Sequence, residues 1–206
     1  MEIMNQIENL KKIAKNKLAN NDPAHDFEHI MRVYRNAEKI CKTETGNKKL
    51  ILSAVLLHDI VKIKNQKDSA TKSAKLSEKI LKENCFLDDE IGIISDAIKE
   101  HSFSKGKIPS SIEGKILQDA DRLDAIGAIG LARVFSFSGS NNRPFYDPKD
   151  PFSKNRVIDD NKWALDHFFE KLLTLEKKMN TKTGKILAKN RTKILKNFLK
   201  ELKTEI

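Results

Sequence analysis

Leu56-Leu57-His58-Asp59-Ile60-Val61-Lys62 follows directly on Ala54-Val55, so a strongly apolar run ends on an imidazole and a carboxylate. Periodicity places the run on a helix over Leu50 to Ile63, rich enough in apolar residues to be central. Groups of this kind in a dry interior must be paired, neutralised or bound to a cation. The rest of the chain is therefore searched for residues that would meet His58 and Asp59.

Most segments flanking this run also carry helical spacing. After Asp22-Pro23, apolar residues recur at three and four through Ile30, Val33, Tyr34, Ala37 and Ile40. Ser69 to Asn84 and Ile91 to His101 follow as amphipathic helices, and Ser110 or Ser111 offers a cap for the next. That helix is expected to run through Ile116, Leu117, Ala120, Leu123, Gly127, Leu131 and Phe135. Ser136 to Asp160 has no usable period and holds three of the five prolines, as a functional loop or lid would. Trp163 to Met179 and Gly184 to Leu202 read as a closing helical hairpin. No alternating strand is convincing, so the fold class is all-α. The expected organisation is one domain over 1–206, with a core at about 22–135, the loop at 136–160 and the hairpin at 161–206.

Composition narrows the setting. The 206 residues are 39% hydrophobic and 33% charged, which suits a globular chain with an adequate core. No apolar stretch approaches a membrane span, and the N-terminus lacks the apolar core of a signal peptide, so a cytoplasmic protein is expected. Cys41 and Cys85 stand in apolar helical contexts without CxxC spacing and are expected to be buried fillers. The formal charge is +10. Residues 171–206 hold eleven Lys or Arg against Glu176, Glu201 and Glu205, a local +8. Little aromatic interleaving accompanies that charge, so nucleic acid is not the expected partner, and a membrane is not expected either. A homodimer is left open.

Five histidines are present, four of them in the first half of the chain. His25 and His29 are four apart, on one side of a helix start. A divalent ion wants imidazole and carboxylate donors from elements that converge. His29, His58 and Asp59 supply three from two helices. DADRLDAIGAIG, residues 119–130, supplies the acids for a fourth, because Leu117, Asp121, Asp124, Ala128 and Leu131 share one stripe. Gly127, Ala128 and Gly130 would make that face thin, open to a close helix or a substrate. Each item has a plainer reading, as a hydrogen-bonded core histidine or an ion-pair partner for Arg122 and Arg133. The ordered set on separate helices is harder to explain that way.

HDFEHIMRVYRNA, AVLLHDI, AIKEHS, DADRLDAIGAIGLAR, HFFEKLLTL and LAKNR, spread over about residues 20–200, together resemble the HD-domain superfamily of metal-dependent phosphohydrolases, and within it the small bacterial YedJ/YpgQ-type subgroup. The resemblance implies a helical bundle around a central divalent ion held by His29, His58, Asp59 and Asp121. Donors of this mixture suit Mn2+, Fe2+, Co2+, Ni2+ or Zn2+ and do not by softness choose among them; Mn2+ is taken as the favoured ion, and Mg2+ is also open. It further implies hydrolysis of (deoxy)nucleoside triphosphates to monophosphate and pyrophosphate, with a small phosphorylated molecule as the partner. A nucleotidase or other phosphomonoesterase would use the same core, and a basic polyanion-binding module is the rival outside enzymes.

Catalytic roles are expected for Asp59, Lys62, His101 and Asp124, with substrate contacts from His25, Asp26, Lys62, His101, Arg122, Arg133 and Arg143. Lys62 offers a point charge to phosphate, and His101 a phosphate contact or a general acid. Guanosine-alarmone hydrolases of this superfamily place an acidic pair after the HD dipeptide. Val61-Lys62 stands there instead. His167, between Asp166 and Phe168-Phe169, is expected to pack on a helix face. No P-loop pattern is present.

Overall fold

The computed structural model describes residues 2–19, 26–61, 68–102 and 107–206. Two compact units divide it, Met1–Asp121 and Arg122–Ile206. Among the described residues the regular structure is helical throughout, as the apolar spacing predicts.

The first unit contains α1 (Glu2–Lys17), α2 (Phe27–Ile40), α3 (Lys48–Leu57), α4 (Ser69–Glu83), α5 (Asp88–Glu100) and most of α6 (Ile112–Asp124). Every residue of α3 from Leu50 to Leu57 is buried. A helix apolar on all sides belongs in the middle, and α3 packs against α1, α2, α4 and α5. Its start is fixed by Asn47, whose side chain accepts from the Lys49 and Leu50 amides at 3.0 and 3.4 Å. The expected continuation to Ile63 does not occur, because the helix stops at Leu57 and leaves His58 as its cap. Asp26 caps α2 by accepting from the His29 amide at 2.9 Å. Buried Asn36 on α2 donates to the Ala120 carbonyl of α6 at 3.0 Å. Of the two cap candidates before α6, Ser111 serves: its hydroxyl accepts from the Gly114 amide at 3.0 Å.

The long helix expected to continue to Phe135 is two helices. α6 ends at Asp124, and α7 spans Gly127–Ser140. The break turns on Gly127, whose φ of +79° suits glycine, with the Arg191 stem 3.1 Å from where a Cβ would stand. Ala128 is consequently exposed rather than aligned with Asp121 and Asp124.

The second unit continues with α8 (Asp166–Glu170), a 3-10 helix at Leu172–Lys178, and α9 (Lys182–Glu205). The first arm of the expected hairpin is thus a short helix and a 3-10 segment, not one helix. Phe135, Phe145, Phe168 and Phe198 form its aromatic core, with ring centroids 5.1–6.1 Å apart around Phe135. The loop expected over 136–160 is shifted: residues 136–140 close α7, and 141–165 contain no helix but are tied down at several points. The Ala164 and Leu165 amides donate to the Pro144 and Phe145 carbonyls at 3.0 and 2.8 Å. Fully buried Asp166 accepts from Arg156 at 2.6 and 2.8 Å, the Asp159 amide at 2.7 Å and the Ser153 hydroxyl at 3.0 Å.

The cysteine expectation is corrected. Cys85 is exposed, at a positive φ of 58° in the α4–α5 turn, and Cys41 is half-buried. The turn conformation, not the surrounding apolar residues, decides the exposure of Cys85.

Candidate metal centre

Two helix ends and a helix face aim the donors. His58 caps the C-terminus of α3 and His101 that of α5. Their Nδ1 atoms lie 2.7 Å from the Val55 carbonyl and 2.6 Å from the Ile98 carbonyl, each three residues back. A carbonyl only accepts, so each Nδ1 carries the proton and donates it. Each imidazole then presents Nε2 with a bare lone pair. His58 is 0% exposed and its Nε2 has no hydrogen-bond partner among the described residues.

His29 Nε2 stands 3.6 Å and His58 Nε2 3.9 Å from Asp121 Oδ1. These separations are long for hydrogen bonds. They suit donors gathered around a common centre. Donor atoms of His29, His58 and Asp121 lie within 4.8 Å of one another, and so do those of His58, Asp59 and His101. His58 has only one free nitrogen, so the two triads share a single lone pair and describe one pocket. The His58 and His101 rings meet edge-on at 5.0 Å, and His29 is 5.6 Å from His58.

The electrostatics fit a cation. Burial pushes the His58 pKa from 6.5 down to about 4, helped by His101 and His29 and opposed by Asp59 and Asp121. The ring is therefore neutral at pH 7, as a ligand must be. Loss of hydration would raise the Asp121 carboxyl, but facing His58, His29 and His101 outweigh it and hold the group below its ordinary value. A neutral imidazole with a bare Nε2 lone pair at His58, facing an ionised Asp121, is what a divalent ion requires. The residues present fit the group. Such an ion would neutralise charge developing on a substrate and lower the pKa of a bound water.

Of the residues singled out in the sequence, the structure brings together His29, His58, Asp59, His101 and Asp121. Asp26 stands three residues before His29 and is engaged in capping its helix. His25 and Lys62 lie outside the described residues. Asp124, 2% exposed at its side chain, pairs with Arg133 at 2.9 Å. Arg122 donates to the Lys178 carbonyl, and Arg143 to Ser138 and the Asp160 carbonyl. These four have partners within the second unit. His167 holds the Asp160 carboxylate at 2.8 Å, an ion-pair-like contact that its apolar neighbours did not announce. Asp119, two residues before Asp121 on α6, is fully buried, whereas Asp121 is half-buried.

A family model described as "HD domain" matches residues 26–126. The uncharacterized protein YpgQ of Bacillus subtilis is 32% identical over 211 residues, covering 100% of this chain and 96% of that protein. The crystal structure of Bacillus subtilis YpgQ in complex with ADP aligns with a TM-score of 0.81 at 32% identity, covering 100% of this chain and 97% of the other. An HD-superfamily hydrolase from Bacillus thuringiensis aligns at 0.79 with 33% identity, covering 98% and 97%. Fold and donor set define an all-helical, metal-dependent hydrolase. The chain belongs to the HD-domain family.

Proposed function

We propose that this hydrolase converts a (deoxy)nucleoside triphosphate to its monophosphate and pyrophosphate, as a single domain with one divalent ion, Mn2+ favoured, held by His29, His58, Asp59 and Asp121. The observation that carries the reading is the buried Nε2 lone pair of His58, opposite Asp121 and flanked by His29 and His101. The similar YpgQ crystallised with ADP supports a nucleotide as the ligand.

In the reaction, water attacks the α-phosphorus, the bond from that phosphorus to the bridging oxygen breaks, and pyrophosphate leaves with the bond electrons. His101 is outside the set of four, and its Nε2 lone pair faces the same donors, so it accepts the proton of the attacking water. Asp26 holds the first turn of α2 and thereby the position of His29. Lys62 and His25 take the substrate's outer phosphates, with Arg122, Arg133 and Arg143 as further sources of positive charge. Asp124 orients Arg133.

The deciding assay supplies Mn2+ to stripped protein with a panel of nucleoside mono-, di- and triphosphates and separates the products. Monophosphate with pyrophosphate, lost in Asp59→Ala, is expected. Orthophosphate in place of pyrophosphate would move the activity to a phosphomonoesterase. No turnover of any nucleotide would overturn the proposal.

A further inference from the structure

α9 carries a face that hydrolysis leaves unused. Gly184, Ala188, Thr192 and Leu195 turn inward and are buried. Lys182, Lys185, Lys189 and Lys193 in its first half, and Lys196, Lys200 and Lys203 in its second, are all exposed. Their spacing is three or four throughout. At 3.6 residues per turn the seven fall within about 80° of arc, and at 1.5 Å per residue they run for about 32 Å. This is a single file along the whole helix, not a scatter. Like charges so placed repel one another, and among the described residues none of the seven has an acidic partner. Glu201 and Glu205 lie at the far edge of the exposed face.

We infer that this file is a docking surface for the phosphodiester backbone of a nucleic-acid duplex. Charge complementarity is the first argument, since an external row of phosphates supplies the counter-charge that the second unit does not. Shape selects among polyanions. A planar anionic bilayer rewards cations spread over a broad face, with aromatic or apolar side chains to insert. α9 instead offers less than a quarter of its circumference, and its exposed large apolar residues are Ile186 and Ile194. Single strands are gripped by stacking on aromatics. The one aromatic of α9, Phe198, is engaged with Phe135 and Phe168 in the core. The file is all lysine, which meets phosphate as a point charge and lacks the planar fork for paired contacts to guanine. Binding is therefore independent of sequence. Lack of interleaved aromatics argued against nucleic acid at the level of sequence. In the structure the same lack argues against single strands and base readout, while the file itself fits a backbone.

The test is fluorescence polarisation of a labelled 20-base-pair duplex with the full chain, across a salt series and with chelator present to suppress hydrolysis. Saturable binding that weakens with salt is expected. Lys189→Gln, Lys193→Gln, Lys196→Gln and Lys200→Gln combined should weaken it at least tenfold and flatten the log–log salt slope by roughly 3 to 4, at about 0.9 for each phosphate no longer neutralised. A control with Lys39, Lys42, Lys75 and Lys79 changed to Gln removes the same charge from exposed positions of the first unit. It should bind within about twofold of wild type at fixed salt if direct engagement of the phosphates, not net charge, is what counts. Equal weakening in both variants, preference for anionic phospholipid vesicles over duplex, or no saturable binding would each overturn the inference. Metal-dependent hydrolysis stays unchanged in both variants, and circular dichroism at wild-type helicity confirms their fold.

Discussion

Two buried acid–base clusters in this protein are built on opposite plans. Around His58 the polar atoms converge and leave bonding capacity over. Its Nε2 faces Asp121 at 3.9 Å and makes no hydrogen bond among the described residues. Around Asp166 the capacity is used up: four donor atoms reach its two oxygens at 2.6–3.0 Å. A satisfied buried carboxylate holds chain segments together, whereas an unspent buried lone pair weakens a core unless a ligand takes it. The first plan marks a working site and the second a structural tie.

The comparison breaks most visibly through activity. His58→Gln should reduce hydrolysis at least about a thousandfold, about 4 kcal/mol of barrier, because a metal donor is gone. Under the same plan its metal-free stability should change by less than about 2 kcal/mol, since the removed lone pair served no bond and only the single hydrogen bond to the Val55 carbonyl is at stake. If denaturant melts show that the chelated variant is unfolded, the His58 cluster is as structural as the other.

Asp166→Ala should do the reverse. Loss of this buried partner strips the Ser153 hydroxyl and the Asp159 amide of their acceptor and leaves Arg156 with only Asp147 at 3.3 Å as a counter-charge, and stability should fall by about 3–5 kcal/mol. The single tryptophan, Trp163, lies three residues away and gives the readout by fluorescence during urea unfolding. A midpoint within error of wild type would mean that the network contributes no stability.

Acid separates the clusters by a smaller effect. Folded, metal-free His58 titrates at about 4 rather than 6.5, so between those values the unfolded chain binds more protons and stability rises with pH. Its contribution is complete above about 6.5 and is lost as pH falls through about 4. Burial alone would raise the Asp166 carboxyl, but Arg156, the Asp159 amide and Ser153 outweigh it and hold the pKa below its ordinary 3.8. Its contribution is complete above the ordinary range and disappears only as pH falls through that depressed value. Chelated protein unfolded at pH 7, 5.5 and 4.5 should show a stability slope that His58→Gln removes and Asp166→Asn retains.

The first cluster was legible in the sequence because its members stand where they do not belong. An imidazole and a carboxylate after Ala54-Val55-Leu56-Leu57, and an acid on the inner stripe of α6, are anomalies against helical periodicity. The second cluster was not legible. Asp166, Arg156, Ser153 and Asp159 are ordinary loop and helix-start residues, and only their meeting in space distinguishes them. The Asp124–Arg133 ion pair was open as the plainer reading of the inner-face acids, but the helix break it spans was hidden by apolar spacing that continues on both sides of Gly127. Periodicity records which face is apolar and is silent about backbone sign, so a φ of +79° passed unseen.

The tie from each imidazole to a carbonyl three residues back has an evolutionary consequence. The groups that choose the tautomers of His58 and His101 are main-chain oxygens of Val55 and Ile98, present whatever side chains stand there. Drift at positions 55 and 98 can reshape the core around the pocket without erasing where its protons sit. A change in the length of α3 or α5 is different: one residue added or removed swings the terminal imidazole by about 100°. The protonation pattern of this centre is inherited with the helix ends, and its vulnerability lies in insertions rather than substitutions.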